Sequence, residues 1–460
     1  MQERSFRRGT LASAHLDARV PTGGVAFGAV AGGPGAVPSR EQAARIARGM
    51  RTRGRRSRRR APGAVRRSIS RGIPRCALPA GVILGALVAA VAGPAGVSAD
   101  TSGAGRALPN DRLILEPIQT LTGNLTPKSI VASGTGLYFA QNMMYLHTIS
   151  VFDETKRLVK TIPDSVDLKS FGYDVDGDRY QGAPVEAAFT SDGSFAFVSN
   201  YRMYGPGYDP QAGSDSCGKD QGQDSFVYRI DTASLEIDHL YPVGPVPKFL
   251  AVTPDDRLLI VSNWCGYDVT IIDLETHVHL GEIEVGRYPR GIAVTSDGRR
   301  AYVAVMGSTN VAVIDLPARP IGHRFEMPRS PRLVRYLAGV GLSPRHLVLS
   351  PDDRTLYATL NGEDAVVAVD VETGDVVDRV RTGHRPRSID ISDDGTALYI
   401  VNYRSDTMYK IGTGDLAVLQ QFDTAPRPIG ITYDPLNDEV WVAAYSGAIH
   451  VFAETTPEPG

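Results

Sequence analysis

From about Leu113 onward, short apolar runs alternate with polar interruptions rich in turn-forming residues, and the arrangement repeats. One unit shows the pattern. Pro289-Arg290-Gly291-Ile292-Ala293-Val294 reads as a strand, and Thr295-Ser296-Asp297-Gly298 as the reversal that follows it. Ala301–Val305 reads as a second strand, Met306–Asn310 as a connecting loop and Val311–Asp315 as a third strand. In the neighbouring unit a fourth strand, His279–Val285, is closed by Gly286. The reversal recurs in register at Asp192-Gly193, Pro254-Asp255-Asp256, Pro351-Asp352-Asp353 and Asp394-Gly395.

A proline opens each unit: Pro127, Pro184, Pro247, Pro289, Pro344, Pro386 and Pro428. The intervals are 57, 63, 42, 55, 42 and 42 residues, so a 42-residue unit recurs with three insertions. A repeat of this length built from short strands predicts a propeller blade. The last unit has three strands, Ile429–Ile431, Glu439–Ala443 and Ile449–Phe452, and lacks a fourth. Leu113–Thr122 precedes the first proline and has no blade of its own. Pairing the two satisfies both exposed edges. The predicted fold is therefore all-β, a seven-bladed β-propeller spanning 113–455 and closed by an N-terminal strand that completes the last blade. Residues 456–460 form a tail and 100–112 a linker.

Charge changes the reading of the first hundred residues. Residues 1–99 hold 18 Arg, no Lys and three acids (Glu3, Asp17, Glu41), leaving 31 basic and 48 acidic residues, a balance of −17, for the rest. A domain this acidic disfavours bulk binding of nucleic acid or anionic membrane. The basic head reads as targeting sequence. Arg51–Arg75 is followed by an apolar stretch, Ala77–Val97, and by Val97-Ser98-Ala99, whose small residues suit cleavage after Ala99. Met1–Gly49 has no periodicity, which makes Met50 the expected start. The expectation is a bacterial protein that is secreted or held in the cell envelope or periplasm. An uncleaved N-terminal anchor is the alternative, and the only membrane contact foreseen.

Pro289–Asp315 and Pro247–Asp273 (PKFLAVTPDDRLLIVSNWCGYDVTIID) resemble the YVTN-type β-propeller repeat family, which includes YncE-like periplasmic proteins and archaeal surface-layer proteins. The resemblance covers roughly Leu113 to Phe452. It implies the fold and leaves function open, because propellers host many activities.

Strands in a blade alternate direction, so the proline corners and the loops after the second strands share one face. Three residue sets meet there. The first is cationic: Lys128, Lys248, Arg290, Arg345 and Arg387 follow corner prolines, Arg287, Arg385 and Arg427 stand beside corners, and Glu186 and Ile429 interrupt the series. On an acidic domain this ring reverses the local sign and suits a carboxylate, a phosphate or an acidic polymer. The competing reading is that each cation caps its own corner. The second set is aromatic: Tyr201, Trp264, Tyr403 and Tyr445 end second strands and would form a stacking platform for sugars, peptides or unpaired bases. YncE-like relatives imply single-stranded nucleic acid as one partner, which the acidic total restricts to weak local binding.

The third set is the insertion Arg202–Asp224. It carries Cys217, and Cys265 occupies the equivalent loop of the next blade, so a Cys217–Cys265 disulfide is expected to pin the insertion as a partial lid. Elsewhere Asp174, Asp176 and Asp178 alternate beside Gly177 as in calcium loops. Arg179 and Val185 stand where such a loop needs Gly and Glu, so a solvated acidic turn is the better fit. The insertion Pro317–Arg335 holds Arg319, His323, Arg324, Arg329, Arg332 and Arg335 and admits either a partner contact or a solvated excursion.

No nucleophile elbow, His-x-x-x-His spacing, phosphate loop or Cys/His cluster is present, and no cofactor is expected. One corner, Ser343-Pro344-Arg345-His346-Leu347 with Asn361 and Glu363, looks like that of lactonase-type propellers related to phosphogluconolactonase. That resemblance implies His346 as general base, Arg345 on a carboxylate or oxyanion, and Glu363 beside them. Gly362 shifts Glu363 from the family's spacing. The first reading is thus a monomeric binding or envelope interaction protein whose partner is an anionic small molecule, a glycan or an envelope protein. The second is an enzyme that opens or isomerises lactones.

Overall fold

The computed structural model describes residues 108–209, 214–317 and 330–458. The basic head, the expected cleavage after Ala99, Met50 and the apolar stretch lie outside these residues. No helix among the described residues is long and apolar enough to cross a membrane.

The described residues form seven antiparallel sheets in chain order, in which the strands run outward from the centre. The exceptions are the outermost strand of the last sheet, which comes from the N-terminal segment, and one short additional strand at the inner edge of the second sheet. The innermost strands are Ser129–Ala132, Tyr180–Phe189, Pro247–Val252, Pro289–Val294, Pro344–Leu349, Pro386–Ile391 and Pro428–Asp434. They face a central channel. The burial pattern follows from this layout: second and third strands such as Leu258–Asn263 and Ala365–Asp370 are buried almost throughout, while outermost strands such as Val376–Arg381 are mostly exposed. The core lies between neighbouring blades. Val311, Val313 and Leu337 of blade four pack against Leu356, Leu360 and Val367 of blade five. Burying each such side chain stabilises the fold by roughly 1.5–3 kcal/mol.

The predicted reversals are held by one recurring contact, in which a Thr or Ser hydroxyl donates to the Asp two residues on. The pairs are Thr190–Asp192 (2.7 Å), Thr253–Asp255 (2.6 Å), Thr295–Asp297 (2.7 Å), Ser350–Asp352 (2.6 Å) and Ser392–Asp394 (2.6 Å). The next residue is left-handed, and it is Gly193, Gly298 or Gly395 in three blades and Asp256 or Asp353 in two. Short polar residues tolerate that conformation.

The ring closes as the repeat count requires. Ile114–Thr122 pairs antiparallel with Ala448–Thr455, from Ile114 opposite Thr455 to Thr122 opposite Ala448. The preceding segment is part of the closure: Asn110–Arg112 forms a short 3₁₀ turn, and the Asn110 backbone N–H donates to Asp394 (2.8 Å). Beneath it Lys410 and Glu454, their side chains fully buried, pair at 2.7 Å. Lys410 also donates to the Leu113 carbonyl (2.9 Å) and the Tyr399 hydroxyl donates to Glu454 (2.6 Å).

Two expected insertions resolve differently. Blade two gains an extra strand, Ser165–Val166, on its inner edge beside an extended Tyr180–Phe189. In blade four, Arg332 and Arg335 belong to the fourth strand, Arg332–Leu337, rather than to an excursion, while Arg319, His323, Arg324 and Arg329 lie outside the described residues.

Candidate functional site: a cationic channel mouth

Five of the seven corners share one backbone device. The residue before the proline is left-handed: Val246 (φ 59°), Tyr288 (61°), Ser343 (56°), Arg385 (54°) and Arg427 (63°). That conformation costs an L-residue roughly 1–2 kcal/mol. Its carbonyl accepts the N–H of the first residue after the second strand: Trp264 (3.0 Å), Met306 (3.0 Å), Asn361 (3.1 Å), Tyr403 (3.1 Å) and Tyr445 (3.0 Å). The bond offsets the strain and sets each loop residue beside the residue that follows its own corner proline, a cation in four of the five. Lys248 Nζ accordingly lies 5.3 Å from the Trp264 ring centroid, and the Arg387 guanidinium 4.3 Å from that of Tyr403.

The corner cations converge. Lys128, Lys248, Arg290 and Arg345 are buried at 3–6% exposure, and Arg387 is half-buried. Burial pulls Arg345 well below the usual guanidinium range, aided by Arg290 and Arg387. Burial likewise lowers Lys128, with Arg290 and Arg345 adding to it. Lys248 falls to about 7 because burial, Arg290 and Arg345 outweigh the support of Asp215. Glu186 is raised by burial, against the pull of Lys128 and a hydrogen bond from Ser129. These mutual effects place five cations and two carboxylates, Glu186 and Asp215, around one mouth.

Asp215 was not legible as a site residue. It lies in the insertion, and the expected Cys217–Cys265 disulfide is formed two residues away, with Cα atoms 5.8 Å apart. The tether seats the Asp215 carboxylate 2.6 Å from Lys248 Nζ. Partial desolvation pushes the Asp215 carboxyl up, and Lys248, Arg290 and Lys128 more than reverse it, holding it below the usual range. Lys248 also lies 4.1 Å from the Tyr201 ring centroid. Tyr288, also unforeseen, stacks on Trp264 with centroids 4.5 Å apart and donates to the Cys217 carbonyl (3.0 Å).

A second layer lies one residue further into the channel. Gly291 has no room for a side chain, since a Cβ would meet His346 Cα at 2.7 Å, and at Gly430 one would meet Ser129 Cα at 2.7 Å. Neighbouring inner strands therefore approach closely, and across Gly291 the Phe249 and His346 rings meet edge to face at 4.7 Å. A cavity of about 160 Å³ follows, lined by Glu186, Phe249, His346, Ser388, Asp390 and Thr432 among others. His346 Nδ1 accepts the Ile389 N–H (3.2 Å), which puts the proton on Nε2. Burial, then Arg290, Arg345 and Lys128, lower His346 to about 3. Burial raises Asp390 to about 6.

Three expectations are corrected. Trp264 is not presented as a platform: at 7% exposure it lies between the disulfide and Tyr288, its indole N–H donating to the Asp215 carbonyl (3.2 Å). Arg427 is exposed outside the inner ring, its backbone N–H donating to Asp406 (2.7 Å). Glu363 does not join Arg345 and His346; its carboxylate pairs with Arg379 on the outermost strand and accepts the Leu342 N–H. Tyr403 and Tyr445 remain half-buried at the mouth, edge to face at 6.2 Å. Asp174, Asp176 and Asp178 are exposed, Asp178 pairs with Lys169 (3.0 Å), and among the described residues no metal-competent group of three forms.

Titration gives a direct check on this site. Lys248 is expected to lose its proton near pH 7, and Asp215→Asn to shift that midpoint lower by removing the carboxylate that favours the ammonium through its charge and hydrogen bond. NMR of ¹³C-labelled lysine side chains would read both. A midpoint above pH 9 would contradict the burial of Lys248 among cations.

Residues 275–442 match the family model described as "Lactonase, 7-bladed beta-propeller". No curated protein matches the chain. Among solved structures, Kuenenia stuttgartiensis hydrazine synthase is similar with a TM-score of 0.55 and 16% identity, over 73% of this chain and 98% of that one. At that identity the likeness is one of fold. With the seven sheets and their closure, these matches establish the chain as a seven-bladed β-propeller.

Proposed function

We propose that this chain is an exported propeller that binds an anionic small molecule at the cationic mouth. The observation that carries the reading is the buried excess of positive charge. Removing a cation from water is costly unless a counter-charge accompanies it, and five cations here face two carboxylates. The disulfide supports export, since such bonds persist in oxidising compartments. The YVTN and YncE-like resemblance agrees with a binding role at the cell envelope.

A lactone-opening enzyme is the second reading, favoured by the family model over residues 275–442. Arg345 and His346 do share the channel. Against it, His346 is held neutral with Nδ1 committed to the backbone, and Glu363 is engaged by Arg379. A general base works best with a pKa near the working pH.

Titrating the protein with inorganic phosphate at low salt, followed by intrinsic fluorescence, tests the binding reading. Arg290→Ala is expected to weaken phosphate at least tenfold, about 1.4 kcal/mol, with an unchanged circular dichroism spectrum. Unchanged affinity would discard the mouth as the site. Hydrolysis of a chromogenic lactone, abolished by His346→Ala, would instead establish the enzyme.

A further inference from the structure

We propose that the mouth selects a compact oxyanion of two or more negative charges, a phosphoryl group or a polycarboxylate, seated on Arg290, Arg345 and Arg387, with Asp215 as a built-in competitor at the Lys248 end. The inference rests on the anion-binding reading and adds to it the ligand's valence and the residue that opposes its entry.

Valence follows from the charge count. Below the Lys248 midpoint the five cations exceed the two carboxylates by three, and above it the remaining four exceed them by two, so a monocarboxylate leaves an excess uncompensated. The imbalance is also uneven around the mouth. Lys248 has its counter-charge in Asp215 at 2.6 Å and is flanked by the Tyr201 and Trp264 rings. Among the described residues no carboxylate lies within ion-pair distance of Arg290, Arg345 or Arg387. Arg345 uses its Nε–H on the Arg387 carbonyl (3.1 Å), and the Arg387 Nε is buried with no acceptor. These three residues stand at the same corner position of three consecutive blades, four to six. Each guanidinium presents a planar fork of donors that matches the oxygens of a phosphoryl or carboxylate group.

Shape follows from the second layer. Across Gly291 the Phe249 and His346 rings meet one residue in from the corner arginines and narrow the channel there, so the widest access to the arginines is from the mouth. The half-buried Tyr403 and Tyr445 border this side, and the electrostatic field of Arg290, Arg345 and Arg387 reaches the Tyr445 hydroxyl. The body of a ligand whose anionic head is on the arginines would rest against these two rings.

Asp215 supplies the opposition. Its carboxylate is attracted by Lys248, Arg290 and Lys128, so it occupies part of the field that an incoming anion needs. At 75% exposure it surrenders little burial on being displaced, while the disulfide two residues on keeps it nearby. Removing its charge removes the carboxylate that an incoming anion must displace, and while Lys248 keeps its proton raises the excess from three to four.

The test is isothermal titration of the protein with acetate, inorganic phosphate and citrate at matched ionic strength, repeated with Asp215→Asn and with Arg387→Ala. Phosphate or citrate is expected to bind at least tenfold tighter than acetate, and whichever of the two is tighter assigns the head group. Asp215→Asn is expected to tighten both severalfold, and Arg387→Ala to weaken both. Arg387 is only half-buried, so this variant leaves the innermost packing intact, and a circular dichroism melt within a few degrees of wild type verifies it. Acetate binding as tightly as citrate would overturn the valence claim and leave the anion reading standing. Weaker or unchanged binding by Asp215→Asn would overturn its role as competitor. Binding of none of the three anions by wild type would overturn the inference together with the reading beneath it.

Discussion

Replacing Glu454 with Gln is expected to lower the stability of the propeller by about 3–5 kcal/mol, the usual cost of breaking a buried ion pair from one side. The Lys410 and Glu454 side chains have no solvent exposure, and the carboxylate also accepts from Tyr399 and Asn110. Gln keeps the volume but leaves the Lys410 ammonium without a counter-ion. The loss falls at the seam, because Lys410 holds the Leu113 carbonyl just before the strand Ile114–Thr122. Urea unfolding should show the lower midpoint, and hydrogen exchange should show Ile114–Thr122 opening first. The double variant Lys410→Met, Glu454→Leu removes both charges and should recover part of the loss. A single variant within 1 kcal/mol of wild type would mean that the pair does not govern closure.

Reducing Cys217–Cys265, or replacing both with Ser, is expected to cost about 4 kcal/mol of unfolding free energy by the loop-entropy relation for a 48-residue separation. The local effect is sharper. Cys217 packs on Cys265, Val246 and Trp264, Tyr267 and Tyr288 both donate to its carbonyl, and the Asp220 N–H donates to the Cys265 carbonyl (2.6 Å). Without the covalent tie these contacts hold the insertion alone. Proteolysis between Gly205 and Asp224 should accelerate well before global unfolding, with Trp264 fluorescence moving to the red as its cover opens. An unchanged cleavage rate in the double Ser variant would show that packing alone pins the lid.

The repeat carried the fold because each blade restates the same physical demands. The Thr/Ser-x-Asp reversal needs a donor and an acceptor two residues apart, and the residue that follows must accept a left-handed backbone. Those residue types are visible in any one of the five copies that carry them, and their recurrence fixes the register. The corner cations were legible for the same reason, since their place after the proline is fixed by the backbone. Asp215 and Glu363 show where this ends. Asp215 lies in an insertion without a counterpart in the other blades, and Glu363 stands where Gly266, Ser308 and Ser405 stand in other units. Neither direction is written in the repeat: one turns inward onto Lys248 and the other outward onto Arg379. Trp264 misled for a related reason. Its position in the loop was right, but the insertion that covers it comes from the preceding blade. The Lys410–Glu454 pair joins the sixth blade to the third strand of the last one, and sequence distance hides such a partnership.

The left-handed corner has a consequence of its own. The bond that fixes it runs from backbone to backbone, so it makes no demand on the side chains it brings together. Val, Tyr, Ser and Arg all fill the strained position, and Trp, Met, Asn and Tyr all supply the N–H. Each of these five blades thus contributes an interchangeable pair of side chains to the rim, because the bond that positions them is made by the backbone alone. Recognition at this opening can be rewritten one sector at a time while the ring beneath it stays the same.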